Sequence, residues 1–226
     1  MADGETKIER REAVRDGEAR VDAAAFWQQQ YRGRLPSPDI HPHSALVELI
    51  AARPPGRGLE LGCGHGDHAL WCATQGWEIT AVDISAIALE RLMARADDAG
   101  VAERVHAERH DLMHTLPSGP FDLVFAMFMH SPAHAGFVRE HVLRRAADTV
   151  SSGGLLLDVT HGSRLPWSWP DPNATPFPSP SETLRVLDLD AAVWRPQRLD
   201  TVWRKVTGPD GQTAVATDTV VCVRRL

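Results

Sequence analysis

The sequence predicts an α/β fold in which a mostly parallel sheet carries helices on both faces. Three observations predict it. Apolar runs of strand length at residues 59–61, 79–82, 121–128 and 155–159 alternate with longer segments of helical period. The first run passes at once into Gly62, Gly64 and Gly66, then into a helix near Ala69. The second run ends on an acid, Asp83. Strand, glycine turn, helix, strand, acid is the first half of a nucleotide-binding doubly wound sheet.

Each part of that unit has a physical task. A strand that turns sharply into a helix needs residues free to adopt positive φ, which glycine does without a Cβ penalty. Missing side chains also let backbone amides approach a ligand, and the helix start adds unpaired N–H groups. An acid at the tip of the second strand accepts from both hydroxyls of a ribose. The glycine spacing then separates two ligand classes. A pyrophosphate on a helix N-terminus favours G-x-G-x-x-G, but here the third glycine comes one place early and Asp67 takes the last glycine's place. A carboxylate there repels a pyrophosphate and tolerates a ligand bearing a sulfonium and an ammonium; Glu60 points the same way. A sulfonium nucleotide is therefore preferred to a nicotinamide dinucleotide.

The other elements follow in order. Residues 1–22 alternate charges with small residues and form no apolar core, so a flexible segment is expected ahead of a single domain over residues 23–226. Residues 23–32 read as a helix with Phe26, Trp27 and Tyr31 on neighbouring turns; these rings either pack the helix onto the sheet or close over a site. Residues 43–52 read as a helix, ended by Pro54, Pro55 and Gly56. Ser85 is a plausible N-cap for a helix over residues 85–99, with Ile87, Leu89 and Leu92 on its inner side. Residues 105–110 form a polar third strand, expected at a sheet edge and followed by Asp111.

The fourth strand, residues 121–128, is nearly all apolar, as a central parallel strand should be. The next helix is expected from Pro132 to about Val150, and Ser151, Ser152, Gly153 and Gly154 read as a tight loop. Residues 164–180 hold six prolines and two tryptophans. That loop leaves the carboxyl edge of the sheet, where ligands bind. Trp167 and Trp169 either face a substrate or pack within the loop. A short helix is expected over residues 181–187, then a hairpin of strands 198–206 and 214–223 turning at Gly208, Pro209, Asp210 and Gly211.

Composition narrows the function. At 226 residues with 43% hydrophobic side chains, the chain has material for one full core. A net charge of −6 argues against a nucleic-acid substrate, which demands a basic surface. No apolar run approaches the roughly 20 residues of a membrane span. Three cysteines, Cys63, Cys72 and Cys222, make no disulfide framework. A cytoplasmic location is expected. His130 and His134 are four apart but straddle Pro132, and His106, His110 and His114 repeat at the same interval across a strand and a loop, so neither set lies on one continuous helix and no metal is expected.

Residues 59–66, Leu-Glu-Leu-Gly-Cys-Gly-His-Gly, resemble the first motif of the class I S-adenosylmethionine-dependent methyltransferases, and residues 81–85, Ala-Val-Asp-Ile-Ser, resemble the second. The likeness runs from about Phe26 to the C-terminus. Within the class the chain is similar to the small-molecule branch that includes the tellurite-resistance and thiopurine-type enzymes. The resemblance implies a Rossmann-like seven-stranded sheet, six strands parallel and one antiparallel. It implies S-adenosylmethionine as methyl donor and S-adenosylhomocysteine as product. Glu60, Gly62, Cys63 and Gly64 would meet the methionine part, and Asp83 the ribose. Ile84 would flank the adenine, Asp111 and Leu112 would bond its edge, and Met127 would lie near the transferred methyl. Trp27 and Tyr31 would belong to a lid.

Methyl transfer from a sulfonium mainly requires alignment and exclusion of water. A base is needed only where the nucleophile is protonated. His130, following the fourth strand, is the candidate, because imidazole side chains titrate near neutral pH; the other reading is a histidine that only bonds locally. The acceptor is expected to be a small thiol or chalcogen compound, phenol or amine, and the protein a monomer or homodimer. Two rival functions are a nicotinamide-dependent oxidoreductase and a non-catalytic S-adenosylmethionine binder.

Overall fold

The computed structural model describes residues 21–131, 135–167, 177–208 and 210–226. Almost all of the expected flexible segment, together with Pro132, His134, Trp169 and Pro209, lies outside the described residues. The elements are α1 (Ala23–Gly33), α2 (Ser44–Ala51), β1 (Arg57–Leu61), α3 (Asp67–Thr74), β2 (Glu78–Asp83), α4 (Ala86–Asp98), β3 (Val105–Arg109), β4 (Phe121–Met127), α5 (Arg139–Ala147), β5 (Val150–His161), α6 (Pro180–Leu187), β6 (Trp194–Thr207) and β7 (Thr213–Arg225).

The strands form one sheet in the order β3-β2-β1-β4-β5-β7-β6. β1, β2, β3, β4 and β5 pair in parallel. β7 runs antiparallel to both β5 and β6, so it alone is reversed and six strands share one direction. The seven-stranded Rossmann-like architecture is therefore as expected, with residues 220–223 inserted between two other strands. Order reverses at β1 and β4, which opens a crevice at their carboxyl ends.

Period-two alternation divides the core. Leu123, Phe125 and Met127 of β4 face the side covered by α2, α3 and α4, where Leu46, Leu70 and Leu92 are fully buried. Val124 and Ala126 face the opposite side, where Val142, Leu143 and Ala146 of α5 and Leu187 of α6 close the second layer. Burial of each such Leu stabilises the fold by roughly 1.5–3 kcal/mol.

Among the boundaries that differ from the sequence reading, three have a clear local setting. Helix α5 begins at Arg139, after the extended Val138, and Gly136, at φ 68°, lies in the left-handed region just ahead of it. Ser151, Ser152, Gly153 and Gly154 are not a separate tight loop. They form an irregular stretch of β5, whose register jumps from Phe121↔Val150 to Leu123↔Leu155. Asp122 anchors it by accepting from Ser151 Oγ at 3.0 Å, and Gly153 supplies the positive φ of 79°. The late helix starts at Pro180, capped by Ser179 and Glu182 in a reciprocal capping box, with the proline in the first turn where its missing N–H costs nothing.

Candidate active site

The glycine turn after β1 needs its glycines. Gly62, Gly64 and Gly66 take φ of 69°, 54° and 81°. A Cβ on Gly64 would lie 2.8 Å from the Tyr31 hydroxyl, and one on Gly66 would lie 2.0 Å from Leu92 Cδ1. The turn thus lets α1 settle on one side and α4 on the other. Asp83 ties it to β2: its carboxylate accepts from Gly64 N–H and from Ser85 N–H, each at 2.9 Å. Burial pushes the Asp83 carboxyl up, and these amide bonds pull part of that shift back.

Glu60 is 1% exposed at the end of β1. Its Oε1 lies 3.3 Å from His68 Nδ1, while Oε2 has no hydrogen-bond partner among the described residues. Burial raises its carboxyl, and His68 opposes that rise. Burial also pushes the Cys63 thiol well up, so this sulfur is no thiolate nucleophile.

These groups line a cavity of about 560 Å³. Glu60, Gly62, Cys63, Gly64, Asp83, Ile84, Asp111, Leu112, Met127, His130, Trp27 and Tyr31 all contribute to its wall. The structure therefore brings together twelve of the fourteen residues named from the sequence. Trp167 is half-buried and does not line the cavity, and Trp169 lies outside the described residues.

Helix α1 roofs the cavity. Trp27 and Tyr31 face inward, Tyr31 edge-on to His65 at 4.9 Å and Trp27 edge-on to His130 at 5.4 Å between ring centroids. Gln28 holds the helix down: its Oε1 accepts from Ser85 Oγ at 2.6 Å and from Ile87 N–H at 3.1 Å. Arg91 of α4 donates to the carbonyls of Tyr31 and Arg34. Gln28 was missed by the sequence reading, although it stands three residues before Tyr31 and so neighbours it on the helix surface. His68 and Met129 were missed too; Met129 packs where a Gly62 side chain would begin.

One electrostatic expectation is corrected. Asp67 does not present a free carboxylate at the helix start, because Arg95 lies 2.7 Å from it. The negative character of the cavity rests instead on Glu60 and Asp83, both buried and, among the described residues, neither paired with an Arg or Lys. An orphaned buried carboxylate oxygen, a buried acid at the tip of β2 and a turn of three positive-φ glycines fit a nucleotide that carries positive charge. Among the described residues no group of three His, Cys, Asp or Glu side chains is placed to hold a metal ion. No helix among them is long and apolar enough to cross a membrane.

Comparison with known proteins agrees with this geometry. Residues 59–154 match the family model of a methyltransferase domain. The 27-O-demethylrifamycin SV methyltransferase of Amycolatopsis mediterranei (strain S699) is 36% identical over 115 residues, 49% of this chain and 40% of that protein. The chain matches less than half the length of such curated relatives. A solved structure concerned with conversion of a disulfide bond into a thioacetal group during echinomycin biosynthesis superimposes with a TM-score of 0.70 at 21% identity, covering 90% of this chain and 92% of that one. TehB from Haemophilus influenzae superimposes with a TM-score of 0.64 at 15% identity, covering 90% and 67%.

Proposed function

We propose that the chain is a class I S-adenosylmethionine-dependent methyltransferase, a reading supported by the methyltransferase-domain match over residues 59–154, and that it methylates a small-molecule acceptor bound beside His130. The observation that supports this most is the unpaired Glu60 Oε2 in the wall of the cavity, a buried acceptor suited to an ammonium group. When bound, S-adenosylmethionine supplies a methyl already activated by its positive sulfur.

The chain's own residues would do the rest. Glu60 and the Gly62–Gly64 turn would hold the methionine end, and Asp83 the ribose. Ile84, Asp111 and Leu112 would frame the base. Trp27 and Tyr31 on α1 exclude water, and Met127 closes the floor. His130 stands exposed at the cavity with Nδ1 2.6 Å from the Phe128 carbonyl. A carbonyl only accepts, so Nδ1 carries the ring proton and Nε2 keeps its lone pair. That nitrogen would accept the proton of an S–H, O–H or N–H nucleophile.

The relatives' names point to more than one acceptor element: one is named for 27-O-demethylrifamycin SV, and a structural neighbour concerns a disulfide converted to a thioacetal. A thiol or chalcogen compound, a phenol and an amine are therefore tested together. Purified protein is supplied with methyl-labelled S-adenosylmethionine and a panel of thiols, phenols, amines, selenite and tellurite. The expected result is label transfer to one class, reduced about 100-fold or more in His130→Ala, the usual worth of a general base. Cofactor binding with no transfer to any class would instead favour a non-catalytic binder.

A further inference from the structure

Phe128 is one of two non-glycine residues with positive φ among the described residues, at 53°, and it lies directly after β4. A bulky side chain in that region is strained and persists only where its surroundings over-determine it. Here they do. The ring is stacked on His161 at 4.6 Å, meets His43 edge-on at 5.8 Å and lies under the Arg204 guanidinium at 5.6 Å. Its N–H donates to the Val159 carbonyl at 2.8 Å.

Those three basic groups converge on one carboxylate. Asp218 of β7 is 0% exposed. Arg204 Nε donates to its Oδ2, His43 Nε2 lies 3.3 Å from the same oxygen, and His161 Nδ1 lies 3.8 Å from Oδ1. His43 is fixed in orientation because its Nδ1 accepts from Ala45 N–H at the start of α2, which leaves the ring proton on Nε2 for Asp218. His161 is the direct cross-strand neighbour of Asp218. The cluster thus joins α2, β5, β6 and β7 around one aromatic ring, and none of its charged members lines the cavity.

We propose that Asp218 and its three basic partners form a clamp on the Phe128 ring that fixes the Phe128 carbonyl and so holds His130 as its Nδ1–H tautomer, with Nε2 available as the base. Phe128 and Asp218 are positioning residues that act through His130; Phe128 also borders the cavity, and Asp218 does not. This deepens the reading of His130 given above and rests on it.

The test is nitrogen NMR of the full-length protein labelled with ¹⁵N-histidine, with the His130 ring signals assigned by their loss in His130→Ala. In the wild type at high enough pH to be neutral, His130 should show a protonated Nδ1 and an unprotonated Nε2. In Phe128→Gly, where glycine keeps the backbone conformation but removes the ring, and in Asp218→Asn, the two tautomers should mix. Asp218→Asn should leave S-adenosylhomocysteine affinity within about threefold of wild type and lower kcat about tenfold, a fraction of a base's worth. A pure Nδ1–H tautomer that persists in both variants would overturn the clamp, as would a wild-type ring protonated on Nε2. The outcomes separate the two claims. Loss of the tautomer in the variants with full activity in His130→Ala would keep the clamp and remove the base.

Discussion

Asp83 reads from the sequence as an acid at a strand tip, and in the fold it also holds the amides of Gly64 in the glycine turn and of Ser85 at the α4 cap. Asp83→Ala removes those bonds together with the acceptor proposed for the ribose. S-adenosylhomocysteine affinity should fall by about 1–3 kcal/mol, or roughly 5- to 150-fold, as expected when a charged hydrogen-bond acceptor is lost; titration calorimetry reads it. The pH dependence has a definite sign. Burial raises the carboxyls of Glu60 and Asp83 in the free protein. The folded chain then holds these protons to higher pH than the unfolded chain, so the two groups withdraw stability as pH rises from the ordinary carboxylate range through their raised values. A cationic ligand pulls both back down. Affinity should therefore rise with pH on the acid side, with proton release seen as a buffer-dependent heat, and a proton-neutral titration there would contradict this. Asp218 shows the limit of sequence reading at the same scale. Burial pushes its carboxyl up, but His161, His43 and Arg204 outweigh that and hold it well below the usual range. Its partners come from residues 43, 161 and 204, and no local pattern marks such a meeting.

Among the elements, the β1–α3–β2 unit was legible because its information is local: a strand, three glycines and an acid lie within 26 residues, from Gly58 to Asp83. Gly66 gives the sharpest test. At φ 81°, with Leu92 Cδ1 2.0 Å from any Cβ placed there, Gly66→Ala must both strain the backbone and displace the buried Leu92 side chain. The strain alone is of order 1–3 kcal/mol, which for a chain of this size lowers Tm by about 2–12 °C; an unchanged melting curve would mean that the turn relaxes freely. The irregular stretch of β5 and the start of α5 were not legible. Serine and glycine suit a tight loop and a strand bulge alike, and only pairing with β4 decides between them. Helix α1 was legible as aromatic, but the bonds that seat it come from Ser85, Ile87 and Arg91, roughly 60 positions along the chain.

Across the whole sheet, the order β3-β2-β1-β4-β5-β7-β6 places the β1 and β4 carboxyl ends side by side at the reversal point. That one fact brings Glu60 and Asp83 from the first half of the sheet to Met127 and His130 from the second. Alternating apolar runs foretold the sheet because buried parallel strands have little freedom in composition. They did not foretell the electrostatics. Asp67, the acid that first argued against a dinucleotide, is paired with Arg95, and its role passes to Glu60 and Asp83. A cavity walled by these two buried acids should hold a sulfonium nucleotide and reject a pyrophosphate. Calorimetric titration of the purified protein with S-adenosylhomocysteine, and in parallel with NADH, distinguishes the two. One-to-one binding of S-adenosylhomocysteine at micromolar concentration is expected, with no heat from NADH. Binding of NADH with no response to S-adenosylhomocysteine would refute the assignment.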